Sequence, residues 1–170
     1  MRVTSGTHNR YPAYSGVVSS TAHDVELVLD FLNTVDVEQH TDVLDDPVRW
    51  HAWLAERDLA DDPTRARPVR DGLRASVGGT EAPKPPPVSV TVELGETPEL
   101  VAAEVTGAVL AAATRLAVLG EWSRMKICPA DDCEWAFFDR SRNRSRTWCS
   151  MRVCGNREKA RAWRERSKLS

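Results

Sequence analysis

The 170-residue sequence predicts a mainly α protein with minor β, an α+β arrangement. A helical N-terminal domain, residues 1–120, precedes a small C-terminal module of β-hairpin and helix, residues 121–170. Three observations carry this reading. Apolar residues recur at helical spacing through the first two thirds, net charge changes sign near Glu121, and all four cysteines lie beyond that point. Residues 1–120 hold 10 Lys and Arg against 18 Asp and Glu, net −8, whereas residues 121–170 hold 13 against 7, net +6. Charge and cysteine changing at one place mark a module boundary.

From Ala22 to Val35, the residues Val25, Val28, Leu29, Leu32 and Val35 form one amphipathic stripe and predict the first helix. Asn33 and Thr34 sit at its end; an amide turned inward there needs partners, either as a satisfied core group or as a ligand contact. Asp46-Pro47 is an N-cap followed by proline at the first helical position, and Trp50, Trp53 and Leu54 supply that helix's apolar face. The two tryptophans are either core or, with Asn33 and Thr34, the lining of a small-molecule pocket in a sensing domain. Asp62-Pro63 repeats the start signal. Pro68 is expected to interrupt, leaving a short helix over 69–77 stopped by Gly78-Gly79.

Residues 80–87 (TEAPKPPP) form a stiff loop, because four prolines in five residues remove donors and fix an extended backbone. Val88, Val90, Val92 and Leu94 then alternate with polar residues and predict a strand. Its expected partner is the segment 14–19 or the same strand of a second chain, which would make a homodimer. Thr97-Pro98-Glu99 is read as the start of the longest helix, with Val101, Val105, Ala108, Ala112, Leu116 and Leu119 as its stripe and Gly120 as its stop. The most apolar stretch, Val105 to Leu119, is broken by Arg115 and is shorter than the roughly 20 residues of a membrane span. With no apolar leader near Met1, the chain is expected in the cytoplasm, away from any membrane.

The cysteines read C-x4-C, fifteen residues, then C-x4-C: Cys128, Cys133, Cys149 and Cys154. Two short pairs across a hairpin are how small modules present four thiolates to zinc, although x2 is the commoner spacing within a pair. Four buried or redox-active thiols are the competing reading. One structural Zn2+ per chain accounts better for matched pairs in a segment with few aliphatic residues to build a core. A four-thiolate set leaves no open position for catalysis, and no paired carboxylates, activated nucleophile or phosphate loop stands out, so the chain is expected not to be an enzyme.

Between the pairs, residues 135–139 and 147–148 are read as the two strands of the hairpin. Its turn projects Arg140, Arg142, Arg144 and Arg146. After Cys154, Gly155 allows a tight turn and Asn156 caps a helix on which Arg157, Arg161, Arg164 and Lys168 make one basic stripe. Residues 139–168 carry 11 Lys and Arg against 3 Asp and Glu, the footprint of phosphate-backbone binding. Compensation of thiolate charge, or docking on the acidic N-terminal domain, competes with that reading. In the DNA reading Arg157, Arg161 and Arg164 enter a groove, the four loop arginines hold phosphates, and Arg152, Asn156 and Lys168 complete the surface.

The stretch CPADDCEWAFFDRSRNRSRTWCSMRVCGNREKARAWRERS resembles the CGNR zinc finger, including the tetrapeptide Cys154-Gly155-Asn156-Arg157, the DRSRN turn and the step at Trp148 to Ser150. LVLDFLNTVD, Leu27 to Asp36, is similar to the L-D-F-x-N-T signature of the ABATE domain that precedes this finger in bacterial proteins described as stress-induced transcription regulators. The resemblance implies a zinc-bound, DNA-binding C-terminal module of treble-clef-like form. It implies by analogy an N-terminal domain that senses a small-molecule effector or self-associates. The rival class is a zinc-stapled protein-interaction or RNA-binding protein.

Overall fold

The computed structural model describes residues 21–168. Its main elements are five helices: α1 (Thr21–Leu32), α2 (Pro47–Ala55), α3 (Pro63–Ser76), α4 (Val105–Val118) and α5 (Asn156–Lys168). Three two-stranded antiparallel ladders interleave with them: β1 (Val35–Asp36) with β2 (Thr41–Asp42), β3 (Thr91–Leu94) with β4 (Pro98–Val101), and β5 (Met125–Ile127) with β6 (Ala136–Phe138). The segment 14–19 lies outside the described residues.

The first helix follows its apolar stripe. Val25, Val28, Phe31 and Leu32 bury themselves against α4, whose small Ala112 and Ala113 permit close approach. Asp24 is also buried there and is held by the guanidinium of Arg115 at 2.6 Å, so a charge on the apolar face is neutralised where it enters. α2 and α3 begin where Asp-Pro predicts: the Asp46 carboxylate accepts from the Val48 and Arg49 N–H groups, and the Asp62 carboxylate from Thr64.

Three sequence expectations change. Pro68 does not interrupt; α3 runs through it from Pro63 to Ser76. The proline forfeits one backbone bond, and buried Ala66, Val69, Arg70 and Arg74 on either side hold the turn against that loss. The longest predicted helix starts later. Pro98–Val101 is a strand, paired Leu94 to Pro98 and Thr91 to Val101, and α4 begins at Val105. Pro98 at a strand's first residue costs no ladder bond, and Gly95 lies in the turn before it. The strand read over 88–94 is thus paired over 91–94 within the chain. No residue of this hairpin is buried, and Leu94 is 83% exposed.

The third change concerns the boundary at residue 120. Gly120 ends the α4 segment in a left-handed conformation (φ 72°), as its stop signal predicts. The core does not stop there: Met125, Ile127 and Ala136 of the C-terminal hairpin belong to the same buried cluster as Phe31, Trp50 and Leu116. The acidic and basic parts therefore share one interior.

Replacing Pro68 by Ala restores an N–H to α3. The expected gain is about 2 kcal/mol, a helix cost of about 3 less about 1 of unfolded-state freedom. Urea denaturation checks it; a midpoint at or below that of the parent chain would show that the proline ring is needed in packing.

Candidate metal centre and nucleic-acid interface

The four clustered cysteines occupy two turns. Cys128 and Cys133 flank the connection between β5 and β6, where the Cys133 and Glu134 N–H groups bond the Ala130 carbonyl and Glu134 takes a positive φ of 48°. Cys154 lies in a π-helical turn, Met151–Gly155, that leads into the last helix, and Cys149 stands two residues before it, ahead of the extended cap Ser150. That turn accounts for the x4 spacing. Residues five apart on an α-helix point about 140° away from each other; here the extended Ser150 and the i to i+5 bond from Gly155 N–H to the Ser150 carbonyl fold the chain so that the two thiols lie 3.5 Å apart.

All four Sγ atoms lie within 4.8 Å of one another, with Cys133 and Cys149 also 3.5 Å apart. A tetrahedral ion about 2.3 Å from each sulfur spaces the sulfurs by about 3.8 Å, so the donor set and its dimensions fit a metal ion. Burial pushes the Cys133 thiol up to about 11 and the Cys149 thiol higher still, since a second or third thiolate is repelled by the first. Against its own burial, Cys128 is held below the ordinary thiol range by N–H groups of Cys149 and Ala130. Cys133 and Cys149 are the thiols whose ionisation a bound cation would favour most.

Gly155 makes no left-handed turn. A Cβ there would stand 2.5 Å from the Met151 sulfur and 3.2 Å from the Trp148 ring, so close packing selects the glycine. Asn156 is already helical and its Nδ2 donates to the Arg152 carbonyl; the cap is Ser150, whose hydroxyl accepts from Val153 N–H. Arg157 donates to Cys154 Sγ at 3.6 Å and pairs with Asp132 at 2.9 Å and Glu38 at 3.4 Å. The tetrapeptide 154–157 thus supplies a ligand, a close approach, a turn contact and a cation that braces the thiolate.

The loop from 140 to 149 is not a return strand. β6 pairs upstream with β5, Met125 opposite Phe138, and the arginine-rich loop is organised by Asp139, whose side chain is fully buried. Its carboxylate accepts from Lys126 Nζ at 2.7 Å and from the N–H groups of Ser141 and Arg146 at 2.8 and 2.9 Å. These donors overcome burial and hold its pKa well below the usual carboxylate range. A carboxyl depressed in this way contributes stability that is complete above its unfolded value near 4 and is lost only as pH falls further. Asp139 therefore stays charged throughout the neutral range.

The predicted DNA-binding arginines divide. Arg144 reaches the Gly120 carbonyl, Ser123 and Glu121, and Arg146 bonds the carbonyls of Trp148 and Cys149 beneath the Phe137 ring. Arg161 pairs with Asp131 and Glu158. Arg140 lies 5.6 Å from the Phe138 ring centre. Arg142, Arg152, Arg164 and Lys168 are exposed and have no carboxylate partner among the described residues, and the same holds for Lys159, which the sequence reading did not single out.

The four residues proposed as a ligand pocket do not gather round one cavity. Asn33 accepts from Ala136 N–H at 2.8 Å and donates to its carbonyl at 3.0 Å, clamping α1 to β6 as a strand neighbour would. Thr34 donates to the Phe31 carbonyl and accepts from buried Arg70. Trp53 stacks on Trp50 at 5.4 Å and carries Arg57 on its ring. Trp50 alone borders a cleft of 520 Å³ with His51, Asp61, Arg65 and Glu104, where Asp61 already accepts Thr106 N–H and Glu104 is bound by Arg65. Arg74 was missed from sequence: buried, it joins the Leu32 carbonyl to the Glu134 carbonyl between the two first cysteines' turn and α1. An arginine four residues after Arg70 and eight after Ala66, on the buried face of α3, was the available signal.

A four-cysteine metal centre seated on a helical domain places the molecule among zinc-finger-type proteins. A CGNR zinc finger model matches residues 124–167, and the ABATE model, described as "Putative stress-induced transcription regulator", matches residues 26–133. The second covers more than half of the chain, which therefore belongs to the ABATE family. No curated protein matches the chain. The ABATE match runs past residue 120 and takes in Cys128 and Cys133, as the shared core does.

Asp139→Asn weakens three bonds that hold Cys149's loop and is expected to lower metal affinity about 10- to 100-fold, measured by chelator competition. Asn33→Ala strands a buried N–H and C=O on β6, costing about 2–4 kcal/mol in denaturant unfolding. An unchanged midpoint would show that water replaces the amide.

Proposed function

We propose that this chain is a cytoplasmic, zinc-dependent DNA-binding transcription regulator and not an enzyme. Zinc suits four thiolates in a tetrahedron, a closed set that favours structure over chemistry. Held by Cys128, Cys133, Cys149 and Cys154, it supplies the charge that lets all four thiols ionise, and it fixes the arginine loop against the last helix. The single observation that carries the DNA reading is the group of exposed cations that have no carboxylate, carbonyl or ring contact among the described residues: Arg142, Arg152, Lys159, Arg164 and Lys168. Arg144, Arg157 and Arg161 are held by carboxylates, Arg146 by carbonyls and Arg140 by the Phe138 ring, so the five remain for phosphates. The family description as a transcription regulator agrees.

Part of the basic surface docks on the acidic side of the same chain, since Arg157 reaches Glu38 on the turn between β1 and β2. This favours a second reading in which the module holds a protein partner or folded RNA. Equal-salt competition among duplex DNA, single strands and RNA separates the two.

The test uses the full chain, because β5 and β6 share its core. Fluorescence anisotropy on mixed-sequence duplex DNA across a salt series is expected to give zinc-dependent binding with a log–log slope of about −4 to −5 for five phosphate contacts. Replacing Arg142 and Lys159 by Ala is expected to flatten that slope by about 2 without sequence preference. Cys149→Ser is expected to lose bound zinc and binding together. No binding at low salt overturns the DNA reading.

A further inference from the structure

The last helix carries three stripes that composition alone merges into one basic segment. Arg157, Arg161, Arg164 and Lys168 lie on the first, and its leading two residues are tied to Asp131, Asp132, Glu38 and Glu158. Glu158 and Glu165 lie on the second, seven residues apart and so nearly eclipsed. Asn156, Lys159, Trp163 and Arg166 recur at three, four and three, with Arg152 four residues earlier across the π-turn. Trp163 stands about 160° round the helix from Glu165 and about 140° from Glu158.

No residue of α5 is buried, and Trp163 is 64% exposed. An indole on a polar helix, flanked by Lys159 and Arg166 and with Arg152 on the same side, is an apolar contact set within positive charge. That combination suits nucleic acid: guanidinium and ammonium groups for phosphate oxygens, and a flat apolar ring with one N–H for base edges. An acidic partner protein would gain from the cations and nothing from the ring.

We infer that α5 meets duplex DNA with the stripe Arg152, Lys159, Trp163 and Arg166, the Trp163 indole lying against base edges in the groove. The Arg157 and Arg161 side instead seats the helix on the metal knuckle. This rests on the DNA-binding reading above, and it reverses the face that charge spacing selects. Trp163 is the contact that reads bases; Arg152 and Lys159 hold the backbone on either side of it. The Asn156 amide, bonded to Arg152 O, sets the turn between them.

The experiment is duplex-DNA anisotropy with the zinc-loaded full chain and four variants, each first checked for one zinc per chain and parental circular dichroism. Trp163→Ala is expected to weaken binding about tenfold or more with the salt slope unchanged, because the lost contact is uncharged. Trp163→Phe is expected to retain most of the affinity. Arg152→Ala with Lys159→Ala is expected to flatten the slope by about 2, whereas Arg161→Ala leaves affinity within about twofold. Parental binding by Trp163→Ala, or a larger loss from Arg161→Ala than from Trp163→Ala, overturns this face while leaving DNA binding in place. Absence of binding by the parent chain overturns both.

Discussion

Four sulfurs held within 4.8 Å of one another are the constraint on which the C-terminal half depends. Thiolates that close repel, so the arrangement is stable when a cation sits among them and the surrounding groups are aimed to support it. The support is visible on every side: backbone N–H groups at Cys128, the Arg157 guanidinium at Cys154, and buried Asp139 drawing the arginine loop inward so that Cys149 is presented. Without that centre, a helix with no buried residue and a loop with four arginines have little else to fix them.

The same centre is bolted to the N-terminal domain. Asn33 pairs with Ala136, Arg74 bridges α1 to Glu134, and the Ile127 N–H donates to the Val77 carbonyl. These are buried or half-buried polar contacts, costly to break singly because each leaves a partner unsatisfied. Any change that shifts the end of α1 is therefore felt at the first pair of ligands. A C-terminal hairpin that swings freely on a linker is incompatible with one shared interior.

Charge patterning was informative about the amount of basic surface and misleading about its direction. Eleven cations in residues 139–168 could not all be compensated, and five have no carboxylate, carbonyl or ring contact among the described residues. Which five was invisible in the spacing, because the carboxylates that absorb Arg157 and Arg161 come from residues 131, 132 and 38, distant along the chain. The same reason misplaced the ligand pocket. Asn33 needed a partner, as its position on the stripe required, and that partner was a strand 103 residues away.

Local chemistry alone determined the helix starts at Asp46-Pro47 and Asp62-Pro63, the stop at Gly120, the apolar stripe of α1 and the set of four cysteines that cluster. Each depends on neighbours within a turn or on the donor chemistry of one residue type. Tertiary structure decided the rest. Pro68 stays helical because buried contacts outweigh one lost bond, residues 98–101 become a strand because 91–94 lies beside them, and β6 pairs with β5 instead of the residues after the arginine loop. Asp139 owes its role to Lys126 and to the loop it closes. In each case the deciding partner is remote in sequence, and only folding brings it near.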